Sequence, residues 1–303
     1  MAVKVKVKRP VPVKVPPASF RHPGERKALQ QARIMALVAV VVVLLILAAT
    51  PWRLQLVIAT LAWLVLAFMI FPGSAASKQH KALYKARSVE QGPDAEHMVA
   101  FLAKQAATLG MATPPLLLDE RADSPYLLGK TIVVPANLRQ SLDDPELWAT
   151  LAIMLGHLHA GHAPTMTLLR TAAAESSPIL RPVLLPVRVW AMLLGAWSQY
   201  AEMTADRVAM LLTRDRKVVS SAVLKGAVRG SEEGISQEEI SSYLARAGGM
   251  QAEGSDVTTH YRLGEFLRAR PWVTSRLKAI GAYATSEDFK RDLERLAQAS
   301  AGR

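Results

Sequence analysis

Residues 144–162 run D-P-E-L-W-A-T-L-A-I-M-L-G-H-L-H-A-G-H. Asp144 is a good helix cap and Pro145 suits a first turn, where its missing N–H is no loss. Leu147, Leu151, Met154 and Leu158 then recur at helical spacing, which predicts a helix running through His162 with one face in a core. Three of the seven histidines fall within residues 157–162. His157 and His162 are five residues apart, and His159 lies about 200° around the helix axis from His157. A zinc-binding helical pair needs histidines at i and i+4. Spacing alone therefore favours structural histidines here.

Working outward, a second helix carries Glu202 and Asp206 one turn apart, in the order Glu202-Met-Thr-Ala205-Asp206-Arg-Val-Ala209. Upstream, a helix is expected from Asp94, a good cap, to Gly110, a good terminator. Two short apolar runs, Pro115–Leu118 and Thr131–Val134, flank the turn-rich stretch Asp119–Pro125 and predict a small antiparallel sheet. Further helices are expected from Ser236, which can form a capping box with Glu239, and from near Thr285. Residues 178–198 are strongly apolar but hold Arg181, Pro182, Pro186 and Arg188. They are expected to lie on a membrane or against the rest of the domain rather than to cross a bilayer. The fold class is α+β and mostly helical.

Towards the N-terminus, Ile34–Thr50 and Leu54–Phe71 are each free of charge, separated only by Pro51, Trp52 and Arg53. Runs of this length approach what a hydrocarbon core of about 30 Å requires. They predict a two-helix transmembrane hairpin over 34–73, ended by Pro72-Gly73. Lys78, Lys81, Lys85 and Arg87 follow it, so positive charge flanks both outer ends. That places both termini in the cytoplasm and the chain in the inner (cytoplasmic) membrane as a multi-pass protein. The second span and the lack of a small-residue cleavage site argue against a signal peptide. Residues 1–33 form a basic tail, expected to be flexible or extended, and residues 74–303 a cytoplasmic domain.

Composition sharpens the choice of partner. The formal charge is +12, but residues 1–33 hold nine Lys and Arg against Glu25 alone, a net +8 that leaves only +4 for the other 270 residues. A basic tail beside a membrane segment implies anionic lipid as a partner. No basic patch interleaved with aromatics points to nucleic acid. With no cysteine in 303 residues, disulfides and thiolate metal sites are excluded.

Residues 90–285 resemble the HtpX-like and CAAX-prenyl-protease-like membrane zinc metallopeptidases, which have a zincin-like fold. That family carries a helical H-E-x-x-H motif, usually within A-H-E-L-G-H, where this chain has Ala152-Ile153-Met154-Leu155-Gly156-His157. Ser124-Pro-Tyr-Leu-Leu-Gly129, Ile132-Val-Val-Pro135 and Leu142-Asp-Asp-Pro-Glu-Leu147 are similar to the family's short strands and its entry into the active-site helix. Its second motif, E-x-x-A-D-x-x-A, matches residues 202–209 in full. A later H-P-x-x-x-x-R is matched by Arg270-Pro271-Trp-Val-Thr-Ser-Arg276, with the histidine replaced.

The resemblance implies a zinc ion held by two helical histidines and a downstream glutamate, with a glutamate as general base on bound water. Carried over, the second histidine is His157 and the downstream ligand is Glu202. The first ligand has become Ile153, the base Met154, and the late histidine Arg270. The expectation is a member without an intact catalytic residue and without bound zinc, acting as a binding or scaffold component for another membrane protein or complex. Glu202 and Asp206 are expected to pair with Arg207, Arg270 or Arg276, with Arg270 a candidate to neutralise Glu202. Two rival readings stand beside it. One is an active, atypical zinc peptidase using His157, Glu202 and His162 or His159. The other is an anionic-lipid-binding module in which the tail matters most.

Overall fold

A computed structural model describes residues 16, 20–48, 51–52, 54–60, 62, 87–88, 93–119, 122, 124–174, 193–228 and 273–301. Helix α1 spans Pro23–Ala48. Strand β1 (Arg87–Ser88) and helix α2 (Pro93–Thr108) follow, then strands β2 (Leu116–Asp119), β3 (Tyr126–Leu128) and β4 (Thr131–Pro135). The remaining helices are α3 (Leu138–Ser141), α4 (Asp144–His159), α5 (Ala163–Ala174), α6 (Gly195–Thr213), α7 (Arg216–Val228), α8 (Val273–Ala284) and α9 (Glu287–Ala301). The expectations for Ser236 and Glu239, for Arg270, and for residues 178–192 fall outside the described residues.

Helix α4 is the central element. Leu147, Leu151 and Leu155 are wholly buried, and so are Ala149 and Ala152 on other sides of the same helix. It packs on α2, α6 and α7, so its apolar surface is wider than the single stripe the sequence displays. Its cap is Asp143 rather than Asp144, because the Glu146 side chain reaches back to accept the Asp143 N–H at 3.0 Å. That carboxylate also accepts from Lys225 Nζ at 2.7 Å and from the Ser221 hydroxyl, tying the start of α4 to α7.

Against the expected run through His162, α4 ends at His159. Gly161 takes φ +78°, the left-handed conformation that glycine adopts without cost. Its N–H bonds to Leu158 O at 3.1 Å and the His162 N–H to His157 O at 2.9 Å, the paired bonds of a Schellman terminus. The chain therefore folds back at His162 and begins α5.

The sheet is mixed, in the order β1-β2-β4-β3. The expected antiparallel pairing of the two apolar runs is corrected: β2 runs parallel to β4. A third strand, β3, forms the antiparallel hairpin with β4 instead. Gly129, at φ +58°, supplies the tight turn between them. The turn-rich residues after β2 give the chain room to cross, so β2 reaches the other side of β4.

The transmembrane hairpin, and with it the multi-pass inner-membrane placement, is overturned. Among the described residues no helix is long and apolar enough to cross a membrane. Helix α1 begins at Pro23, inside the stretch expected as a tail, and its first third is polar. Its uncharged part runs only from Ile34 to the helix end at Ala48, a rise of about 22 Å at 1.5 Å per residue. That falls short of a hydrocarbon core of about 30 Å. Of the expected second span, residues 54–60 are helical and most of the remainder lies outside the described residues.

Candidate functional site

Helices α4 and α6 cross at Gly156. A methyl group added there would sit 2.8 Å from both Cα and O of Ala205, so the backbones are in direct contact. This close approach brings the C-terminal half of α4 against Glu202 and Asp206. His157 is buried, and its Nε2 lies 3.6 Å from Glu202 Oε2. The two residues that the resemblance names as surviving ligands therefore do meet.

Arg276, from α8, reaches the same Glu202 oxygen. Its Nη1 is 3.2 Å from Glu202 Oε2. Its Nε and Nη2 donate to Asp206 Oδ2 and Oδ1 at 2.9 and 2.6 Å, a two-pronged pair. Burial acts to lower the Arg276 pKa, but the Asp206 and Glu202 carboxylates override it and hold the guanidinium charged, its pKa raised above the ordinary arginine value. Burial pushes the Asp206 carboxyl up against the pull of Arg276. The two parallel hydrogen bonds fit its ionised form. Of the two described arginines considered as partners of Glu202 and Asp206, Arg276 meets both, and Arg270 lies outside the described residues. Arg207 lies over the Tyr283 ring instead, 4.5 Å from its centroid.

A helix running on through His162 would carry it about one and a half turns beyond His157. The turn at Gly161 folds it back, so the two Nδ1 atoms are 3.1 Å apart. His162 Nε2 in turn meets Glu25 Oε1 at 3.1 Å. Glu25 comes from the start of α1 and was not foreseen. Its second oxygen accepts from Thr204 Oγ1 at 2.7 Å, and Arg21 Nε stands 3.7 Å from the first. Burial raises the Glu25 pKa, but the bonds from His162 and Thr204 and the Arg21 charge outweigh it and leave it below the ordinary carboxylate value. Burial lowers His162, opposed by its bond to Glu25. The result is one buried polar line: Glu25, His162, His157, Glu202, Arg276, Asp206. With Glu25 ionised, His162 must present an N–H at Nε2, an assignment that follows from the bonding pattern.

His159 is also buried, against the Phe20 ring at 5.8 Å between centroids, and Nε2 has no hydrogen-bond partner among the described residues. It takes no part in the line. Ile153 is buried in the main core and Met154 is packed at its edge. Neither side chain can bind zinc as imidazole does or accept a proton.

The family implied by the sequence calls for zinc, and the donor set can be tested against it. Among the described residues no group of three or more His, Asp or Glu side chains is arranged to hold a metal ion. His162 cannot supply the missing ligand in this arrangement. It faces His157 Nδ1, whereas Glu202 faces the opposite ring nitrogen, so no single position lies before all three. These residues do not fit zinc.

The described residues form a mostly helical α+β fold with a small mixed sheet. The chain is similar to the plastoglobule-localized metallopeptidase 48, chloroplastic, of Arabidopsis thaliana, at 30% identity over 173 residues, which is 54% of this chain and 48% of that protein. The chain thus spans about half the length of that curated relative. This similarity supports a metallopeptidase-like family. No family model matches the chain, and no solved structure matches it.

The residues that the sequence reading missed are Glu25 and Thr204. Glu25 stood in a segment set aside as a flexible tail, and no spacing rule links residue 25 to residue 162. The Gly161 signal was available: glycine closing an apolar helix predicts a left-handed terminus and a reversal.

Proposed function

We propose that this chain is a metallopeptidase-like protein in the line of the HtpX-like enzymes whose zinc chemistry has been lost, and that it acts by binding another protein. The observation that carries this reading is the helix that brings His157 within 3.6 Å of Glu202 while holding Ile153 and Met154, both apolar and packed in or against the core, at the ligand and base positions. General-base catalysis typically contributes about 10²–10⁴-fold, and a methionine supplies none of it. The partner is taken to be an extended protein segment, the kind of ligand that adds to a sheet edge. Strands β1 and β3 are the outer strands of the sheet.

Zinc content of the purified full chain tests the reading. The expected result is well below one zinc per chain, unchanged by Glu202→Ala. One zinc per chain that disappears in Glu202→Ala, with chelator-sensitive cleavage of casein, would establish the atypical peptidase instead.

A further inference from the structure

The first turns of α1 and the residues leading into them are fastened to the domain in unusual detail. Phe20 is buried beside the His159 ring. Arg21 Nη2 donates to Ala160 O at 2.8 Å, at the end of α4. The His22 N–H donates to Thr204 Oγ1 at 2.9 Å, and the His22 ring stacks on Tyr200 at 4.9 Å. A methyl group at Gly24 would fall 2.5 Å from the Tyr200 ring, so the backbone itself lies on that ring. Ala28 and Ala32 continue the contact in a small cluster with Leu194, Trp197 and Ala201, separate from the main core. Beyond Ala32 the helix leaves the domain: Ile34 is 54% and Leu45 66% exposed.

We propose that residues 21–32 are a releasable strap that covers the buried His157–His162 pair in cis, with Glu25 as its bolt on His162 and Thr204. The argument has three parts. Glu25 provides the carboxylate at the end of the histidine line, and with it in place His157 and His162 are both buried. Past Phe20, which is buried in the main core and anchors the segment, Ala28 and Ala32 have their own small apolar cluster, so residues 21–32 can lift about that fixed end without opening the main core. The exposed remainder of α1 is a lever continuous with the strap, so whatever engages that helix acts on the bolt. Any ligand approaching the histidine pair from the α1 side must displace the strap first. The inference rests on the contacts of residues 21–32 and stands whether or not the zinc reading survives.

Diethyl pyrocarbonate, which modifies accessible neutral imidazoles, tests this on the full chain with site mapping by mass spectrometry. His97 is exposed and serves as the internal standard. In the wild type, His162 is expected to react at least tenfold slower than His97. Glu25→Ala should raise the His162 rate at least tenfold while amide exchange of α4 and α6 stays unchanged. Thr204→Val, which removes two strap bonds with little change of shape, should act in the same direction. Three results overturn the proposal. They are a wild-type His162 rate equal to that of His97, a His162 rate unaffected in both variants, or loss of α4 and α6 protection in both variants, which would make the segment part of the cooperative core. Zinc content is measured separately, so failure here leaves the loss-of-zinc reading untouched.

Discussion

Arg276 Nη1 lies 3.2 Å from Glu202 Oε2 while its Nη2 lies 2.6 Å from Asp206 Oδ1, so one guanidinium holds two buried carboxylates on successive turns of α6. Removing one partner of a buried ion pair typically costs about 3–5 kcal/mol, because the other charge is left desolvated and unpaired. Arg276→Met is therefore expected to lower unfolding free energy by that amount in a denaturant titration. Asp206→Asn added to Arg276→Met should recover part of the loss, since it removes one stranded charge. Arg276→Lys should fall between, as an ammonium cannot repeat the two-pronged bond. If Arg276→Met were neutral, the guanidinium would not be balancing this site.

Acid should destabilise the fold before its carboxylates titrate. Burial lowers His159 to about 4. His22 is also lowered to about 4, by burial first and then by the Arg207 charge, with Glu25 opposing. His22 Nδ1 accepts the Gly24 N–H at 3.1 Å, which requires an unprotonated Nδ1. The sign follows from linkage: these histidines take up protons near 6.5 when unfolded but only near 4 when folded. Their contribution is whole above 6.5 and is lost as pH falls from 6.5 towards 4, at about 1.4 kcal/mol per pH unit for each fully linked proton. Denaturation midpoints should be flat from pH 8 to 6.5 and fall below that. His159→Leu should reduce the slope without loss of stability at pH 8, since the imidazole Nε2 has no partner among the described residues to lose. An unchanged slope in His159→Leu would remove this residue from the account.

The parts of this architecture written in local signals were readable from sequence. Gly110, at φ +70°, closes α2 where a terminator was expected. The periodic leucines of α4 mark a core helix, and the E-x-x-x-D pair lies on the helix that faces it. What was not readable depended on contacts between distant residues. The parallel pairing of β2 with β4 depends on which way a loop crosses, and apolar runs of four residues do not encode that. The choice of Arg276 over Arg207 depends on how α8 docks on α6. The long apolar stretch after residue 33 misled because its hydropathy was read without its helix start: α1 spends its first third on the domain, which leaves too little uncharged helix to span a bilayer. Glu25 illustrates the same limit from the other side, as a lone acid in a basic segment whose role appears only when α1 packs on α6.

Ile153 precedes His157 by one turn, the i, i+4 relation that a helical zinc pair uses. Ile153→His with Met154→Glu would restore the missing ligand and base types beside His157 and Glu202. This variant is expected to gain zinc-dependent thermal stabilisation, about 2.7 kcal/mol at zinc a hundredfold above Kd, reversed by a chelator. The wild type should show none. Adding Arg276→Met should lower the stability of the metal-free form, since it strands the Glu202 and Asp206 carboxylates. A folded double variant indifferent to zinc would mean that position 153 is not the ligand position assigned to it.

Gly156 sets the spacing on which the whole site depends. Its α4 backbone touches Ala205 of α6, and a Cβ would stand 2.8 Å from Ala205 Cα and O and 3.1 Å from Val208 Cβ. Neither backbone atom can yield as a flexible side chain would, so Gly156→Ala must push the helices apart. Forcing an extra methyl into a packed core typically costs about 1–3 kcal/mol, more than the roughly 1 kcal/mol that alanine recovers over glycine inside a helix. The net expectation is destabilisation by thermal melt. His157 and Glu202 should also separate, loosening the line to His162 and accelerating its modification. Gly226, on α7, has nothing within 4 Å of its added Cβ and serves as the control. There Gly226→Ala should be neutral or stabilising, and a matching loss at both positions would mean that the contact with Ala205 is not what limits residue 156.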